Sequence, residues 1–243
     1  MIASLPMYDR PQTAAANDAF WAAIRQAFGS GPERLNREKA NWDVWQDPGL
    51  LLSQTCGLPF RTRLHSTVQL VGTPDYGLQG ALPGFYYSVF VVRANDKNDL
   101  TSYANRTFAY NDPLSQSGWA APQTHIRDLG FSFGRLICSG GHRNSARAVA
   151  EGHADIAALD AVTWRLIRQF DEFSEGLKVI GRTKATPGLP LITARKNDAQ
   201  GLRAAAQLAI DRLEPPDRQT LGLRGIVDIP RAEYLRVPTP PAP

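Results

Sequence analysis

The chain has 243 residues, of which 43% are hydrophobic and 21% charged, an ordinary balance for a globular protein with one large core or two modest lobes. Its net charge of +4 is scattered along the sequence, with no basic block and no zinc-type Cys/His spacing, so nucleic-acid binding is set aside. No apolar run reaches the length of a membrane span, so the chain is not expected to cross a membrane as a helix.

Ile2 to Tyr8 reads as a short strand, broken by Asp9, Arg10 and Pro11. Thr13 stands as a candidate N-cap, and Ala19, Phe20, Ala23, Ile24 and Ala27 recur at helical spacing up to Gly29. Residues 30–49 are polar, with Trp42 and Trp45 among charges, and read as a loop or broken helix. Apolar strands follow at 50–56, ended by Gly57, and at 67–73, ended by the 74–77 turn. The run at 84–93 is aromatic and β-branched, a strong strand. A polar turn is expected at 95–99 and a short helix at 100–104.

Residues 107–110 form the next strand, stopped by Asn111, Asp112 and Pro113. Ser115 and Ser117 offer side-chain oxygens to cap a helix over 118–129. A strand at 132–138 ends in Ser139, Gly140, Gly141 and His142, and a small helix follows at 144–152. Residues 155–159 are a short apolar strand stopping at Asp160, with a helix at 162–173. Strands at 177–184 and 189–195 precede an amphipathic helix at 198–213, ended by Pro215 and Pro216. The proline-rich tail 238–243 cannot join a sheet or helix and is expected to be disordered.

Strands alternating with helices imply α/β architecture. The strands fall into two groups, so two α/β lobes are expected, joined by two hinge crossings. Lobe 1 comprises residues 1–90 plus 190–243, and lobe 2 residues 91–189. Cys56 and Cys138 are far apart; they could pair, but read as isolated buried thiols and do not fix a redox compartment. The N-terminus lacks the basic start and long apolar centre of a signal peptide. The expected location is therefore periplasmic if a leader has been removed, and otherwise cytoplasmic.

In open α/β sheets ligands bind beyond the carboxyl ends of the strands. Here those ends carry Tyr8, Thr55, Asn111, Asp112, Ser115, His142 and Asp160: hydroxyls, turns, one imidazole and carboxylates. Such a set suits a small polar solute held by hydrogen bonds. The sequence has no phosphate-loop lysine, nucleophile elbow or metal-ligand cluster, and no cofactor or metal is expected. His142 reads equally as an exposed loop imidazole or as a donor to an anion. Asp160 reads first as the cap of the helix behind it. A strand feeding a helix through a serine-rich turn leaves N–H groups at the positive end of the helix dipole, which suits an anion.

The ordered set formed by 84–93 (GFYYSVFVVR), 106–119 (RTFAYNDPLSQSGW), 138–150 (CSGGHRNSARAVA) and 152–160 (GHADIAALD) resembles the phosphate/phosphite/phosphonate-type solute-binding proteins of ABC transporters. The resemblance implies a type II periplasmic-binding fold: two lobes, mixed sheets with helices on both faces, and a ligand cleft at a hinge. It also implies that Ser115 and Ser117, with nearby backbone N–H groups, and His142 contact an oxyanion. Asp160 would contact the rest of the ligand, and Tyr8 and Tyr87 would be pocket aromatics. Asn111 and Gln116 belong to the same turn, and Gln116 stands where the family has Ser or Thr. The implied function is binding of a small oxyanion for an ABC permease, without catalysis. The alternative on the same fold is a cytoplasmic lyase or synthase of the menaquinone- or thiamine-precursor type with His142 as general base. A sensor module read by a membrane partner is a third reading.

Overall fold

A computed structural model describes residues 1–97 and 99–243. The turn expected at 95–99 includes Asn98, which lies outside the described residues. Contacts divide the chain into two compact units: Met1–Phe85 with Pro187–Arg236, and Tyr86–Thr186 with Val237–Pro243.

The chain opens on β1 (Ile2–Ser4), shorter than the expected strand because Pro6 has no N–H to give a ladder. Helix α1 (Ala14–Phe28) ends at Gly29, whose φ of 83° needs glycine. Thr13 sits at its N-cap position, but the hydroxyl donates to the Tyr8 carbonyl at 2.8 Å. Then come α2 (Asn41–Trp45) and β2 (Leu50–Gln54). Next, α3 (Gly57–Pro59) runs into a π-helical turn at Phe60–Leu64. Strand β3 (Val68–Asp75) leads to β4 (Phe85–Tyr86) at the first crossing.

In the second unit, β5 (Ser88–Arg93) is separated from β4 by Tyr87, so the expected single strand is broken there. A 3₁₀ turn at Leu100–Tyr103 precedes β6 (Phe108–Tyr110). A π-helical turn at Gln116–Ala120 leads into α4 (Ala121–Asp128). The remaining elements of this unit are β7 (Leu136–Cys138), α5 (His142–Ala150), β8 (Ile156–Asp160), α6 (Ala161–Phe170) and β9 (Leu177–Arg182). Strand β10 (Thr186–Pro187) marks the return crossing and pairs with β4. The first unit then resumes with β11 (Leu191–Ala194) and α7 (Ala199–Arg212). It closes with α8 (Pro215–Leu221), β12 (Gly225–Val227) and α9 (Arg231–Leu235).

The first unit's sheet has the order β1-β2-β11-β3-β12, with β1 parallel to β2 and β11 antiparallel to both β2 and β3. On one face α1 and α7 bury Phe20, Trp21, Ile24, Leu202, Ala206 and Ile210. On the other, Val44, Trp45, Phe60, Leu64 and Tyr234 cover Leu50 and Ile192. The second unit's sheet has the order β7-β6-β8-β5-β9. Phe90, Phe108, Trp119, Ile126, Phe133 and Ile156 form a core on one face, with the rings of Phe108 and Phe133 stacked 4.3 Å apart. Helix α5 packs across β5, β6 and β8 through Ala146 and Val149. Both sheets are mixed, with helical cover on both faces.

The tail departs from expectation. Residues Val237–Pro243 pack with the second unit, and the Pro241 carbonyl accepts the Trp119 indole N–H at 2.9 Å. Proline removes N–H donors but leaves carbonyl acceptors, so a segment barred from a sheet can still satisfy a buried indole.

Candidate functional site

In the second unit β6, β7 and β8 run parallel, so Tyr110, Cys138 and Asp160 end on one edge of the sheet. Strand β5 runs the other way and starts at that edge, with Ser88 opposite Asp160. The loops leaving this edge carry most of the residues singled out from the sequence.

Ser115 caps the π-turn. Its Oγ accepts from the Gly118 N–H at 2.9 Å, while its carbonyl accepts the N–H groups of Trp119 and Ala120 at 3.2 and 3.0 Å. The first N–H groups of such a turn have no partner within it. Ser115, Gln116 and Ser117 are all buried. Gly118 is required because a Cβ there would overlap Asn111 Oδ1. That oxygen is closed off from solvent and, among the described residues, has no hydrogen-bond partner.

His142 is the first residue of α5. Its Nε2 lies 2.9 Å from Ser117 Oγ, which joins the two strand-end turns. Its Nδ1 is enclosed and has no hydrogen-bond partner of good geometry among the described residues. Burial pushes His142 down to about 4, opposed by the nearby Ala158 carbonyl. The imidazole is therefore neutral near pH 7, with one N–H and one lone pair. The turn before it is held by Ser139, whose Oγ donates to the Gly141 carbonyl at 2.9 Å and lies 2.7 Å from Ser145 Oγ.

Asp160 caps α6, its Oδ1 accepting from Val162 N at 2.7 Å and Thr163 N at 3.0 Å. The Tyr87 carbonyl accepts from Ala161 N at 3.1 Å, and the Arg182 guanidinium lies 5.1 Å from the centre of the Tyr87 ring. Tyr8 belongs to the first unit, buried with its ring edge-on to Tyr76 at 4.9 Å. The structure thus gathers Asn111, Ser115, Gln116, Ser117 and His142 into one cluster, with Asp160 and Tyr87 on neighbouring strand ends.

Two supporting residues escaped the sequence reading. The Ser88 hydroxyl donates to the Ser117 carbonyl at 2.8 Å, and the Ser88 N–H donates to Thr183 Oγ1 at 3.0 Å. The signal for Ser88 was present as a small hydroxyl inside a run of aromatic and β-branched residues; Thr183 carried none. In the first unit, β2 leads into buried Thr55, whose Oγ1 has no hydrogen-bond partner among the described residues. The described residues contain no cluster of three or more metal-ligating side chains, and no helix long and apolar enough to cross a membrane.

Solved structures share this architecture. PhnD1 from Prochlorococcus marinus, in complex with methylphosphonate, matches with a TM-score of 0.74 at 15% identity, over 96% of this chain and 93% of that one. A binding-protein component of an ABC phosphonate transporter from Pseudomonas aeruginosa gives 0.68 at 17% identity, over 93% and 80%. A Xanthomonas citri protein bound to ATP gives 0.68 at 17% identity, over 98% and 94%. The fold is that of the type II periplasmic binding proteins. No curated protein sequence matches the chain. Residues 61–227 match the family described as ABC transporter, phosphonate, periplasmic substrate-binding protein, and the chain belongs to that family. The family binds solutes for transporters, so the lyase or synthase alternative has no support.

Proposed function

We propose that this protein binds a small phosphorus oxyanion, phosphate or a phosphonate, and delivers it to an ABC permease on the outer side of the inner membrane. The observation that carries this reading is the Ser117–His142 hydrogen bond at the carboxyl edge of the second unit's sheet. It ties two helix starts together, so hydroxyl and backbone donors are fixed before a ligand arrives. Ser115, Gln116, Ser117 and His142 hold the oxyanion in this reading. Asn111 shapes the turn, Asp160 faces the remainder of the ligand, and Tyr87 and Tyr8 supply aromatic walls. Residues 1–85 with 187–236, and 86–186, act as the two lobes of a hinged solute-binding protein in this reading. A neutral imidazole and neutral hydroxyls suit anion selection by hydrogen-bond geometry, with no cation contributed by the cluster itself.

Calorimetric titration with methylphosphonate, phosphate and sulfate tests the proposal. Saturable binding of a phosphorus oxyanion is expected, weakened by Ser117→Ala and by His142→Asn. Removing one hydrogen bond to a charged group costs about 1.5–3 kcal/mol, roughly a ten- to hundredfold loss of affinity. A folded wild-type protein that binds none of these anions would overturn the reading.

A further inference from the structure

The tail has no place in the reading above. Four of residues 238–243 are proline, yet the segment is seated on the second unit while α9, to which it is joined, belongs to the first. Val237 and Pro240 are partly buried and the residues around them are exposed. Proline locks φ near the polyproline II value, so a segment this rich in proline favours that extended form. Pro241 offers its carbonyl to the Trp119 indole N–H. Trp119 is only 5% exposed, and its ring packs 5.0 Å from Tyr110, the last residue of β6. An aromatic ring with an N–H donor is a recognised way of reading proline-rich segments. Trp119 also lies in the π-turn that contains Ser117 and Gly118.

We propose that residues 237–243 are a proline-rich latch, and that its docking on Trp119 holds the 115–120 turn in its binding shape. The effect on ligand rests on the proposed oxyanion role of that turn; the docking itself does not. Polyproline II is largely pre-formed in the free segment, so docking loses little entropy and a modest contact suffices.

The test uses nitrogen-15-labelled protein, whose five tryptophans give five indole N–H signals, with Trp119→Phe assigning the relevant one. In a chain ending at Arg236 the Trp119 signal is expected to move and to exchange faster with solvent. Methylphosphonate affinity is expected to fall roughly three- to tenfold, the worth of one net hydrogen bond. A synthetic peptide of residues 236–243 added in trans restores both. Full-length Trp119→Phe, which keeps an aromatic ring but loses the donor, shows the same affinity loss without rescue by the peptide. An unmoved indole signal on truncation, or wild-type affinity in both variants, overturns the latch. If the wild type binds no methylphosphonate, the indole signal still decides whether the tail is docked, so the two proposals fail separately.

Discussion

Acid should unfold this protein partly through one imidazole. His142 is neutral in the folded state because burial holds its pKa at about 4, against 6.5 when unfolded. The folded pKa is the lower one, so the unfolded chain takes the proton first. The stability this residue contributes is complete above about pH 6.5 and is lost as pH falls towards 4. Binding of one proton with those two pKa values lowers unfolding free energy by about 2.5 kcal/mol between about pH 7 and about pH 4.5. Urea unfolding of wild type and His142→Gln across that range isolates the effect, because the other titrating groups are common to both. The wild type is expected to lose about 2.5 kcal/mol more than the variant over that interval. Parallel pH profiles for the two proteins would show that His142 is not held neutral by its surroundings, and the reasoning would fail.

Gly118→Ala sets a methyl group against Asn111 Oδ1 and is expected to destabilise by about 1–3 kcal/mol in urea unfolding, with weakened anion binding. Asp160→Ala removes the cap from α6 and should cost about 1 kcal/mol by the same measurement, while Asp160→Asn, which keeps a capping oxygen, should cost much less. Ile24→Ala empties a fully buried site in the first unit; a loss of about 2–5 kcal/mol is expected in its thermal or urea transition.

The sequence exposed the elements whose local chemistry agrees with their surroundings. The spacing of Phe20 and Ile24 with Gly29 behind them marks α1, and the apolar run stopped by Asp160 marks both β8 and the cap of α6. What stayed hidden depended on distant partners. The helical segment from Gly57 to Leu64 lacks a capping side chain and contains Pro59, so nothing local announces it. Pro74 reads as a strand terminator, yet β3 continues through it to Asp75 because β12 pairs with it from the edge. Pro215 and Pro216 signal the end of α7, but proline at the first helical positions also starts α8. Within the candidate site, Ser115, Ser117 and His142 were visible as strand-end polar residues. Their linkage was not, since the Ser117–His142 bond joins positions 25 residues apart.

The two π-turns carry a consequence for everything downstream of them. Each fits one more residue into its turn than an α-helix does, seen in the bonds from His65 N to Phe60 O and from Ala120 N to Ser115 O. One residue of an α-helix corresponds to about 100° of rotation. The surplus residue at 116–120 therefore fixes which side of α4 turns inward, and with it the burial of Pro122 and Ile126. A sequence one residue shorter there could keep every capping group and still present the wrong flank to the sheet. The swollen turn works as an angular setting for the whole helix behind it.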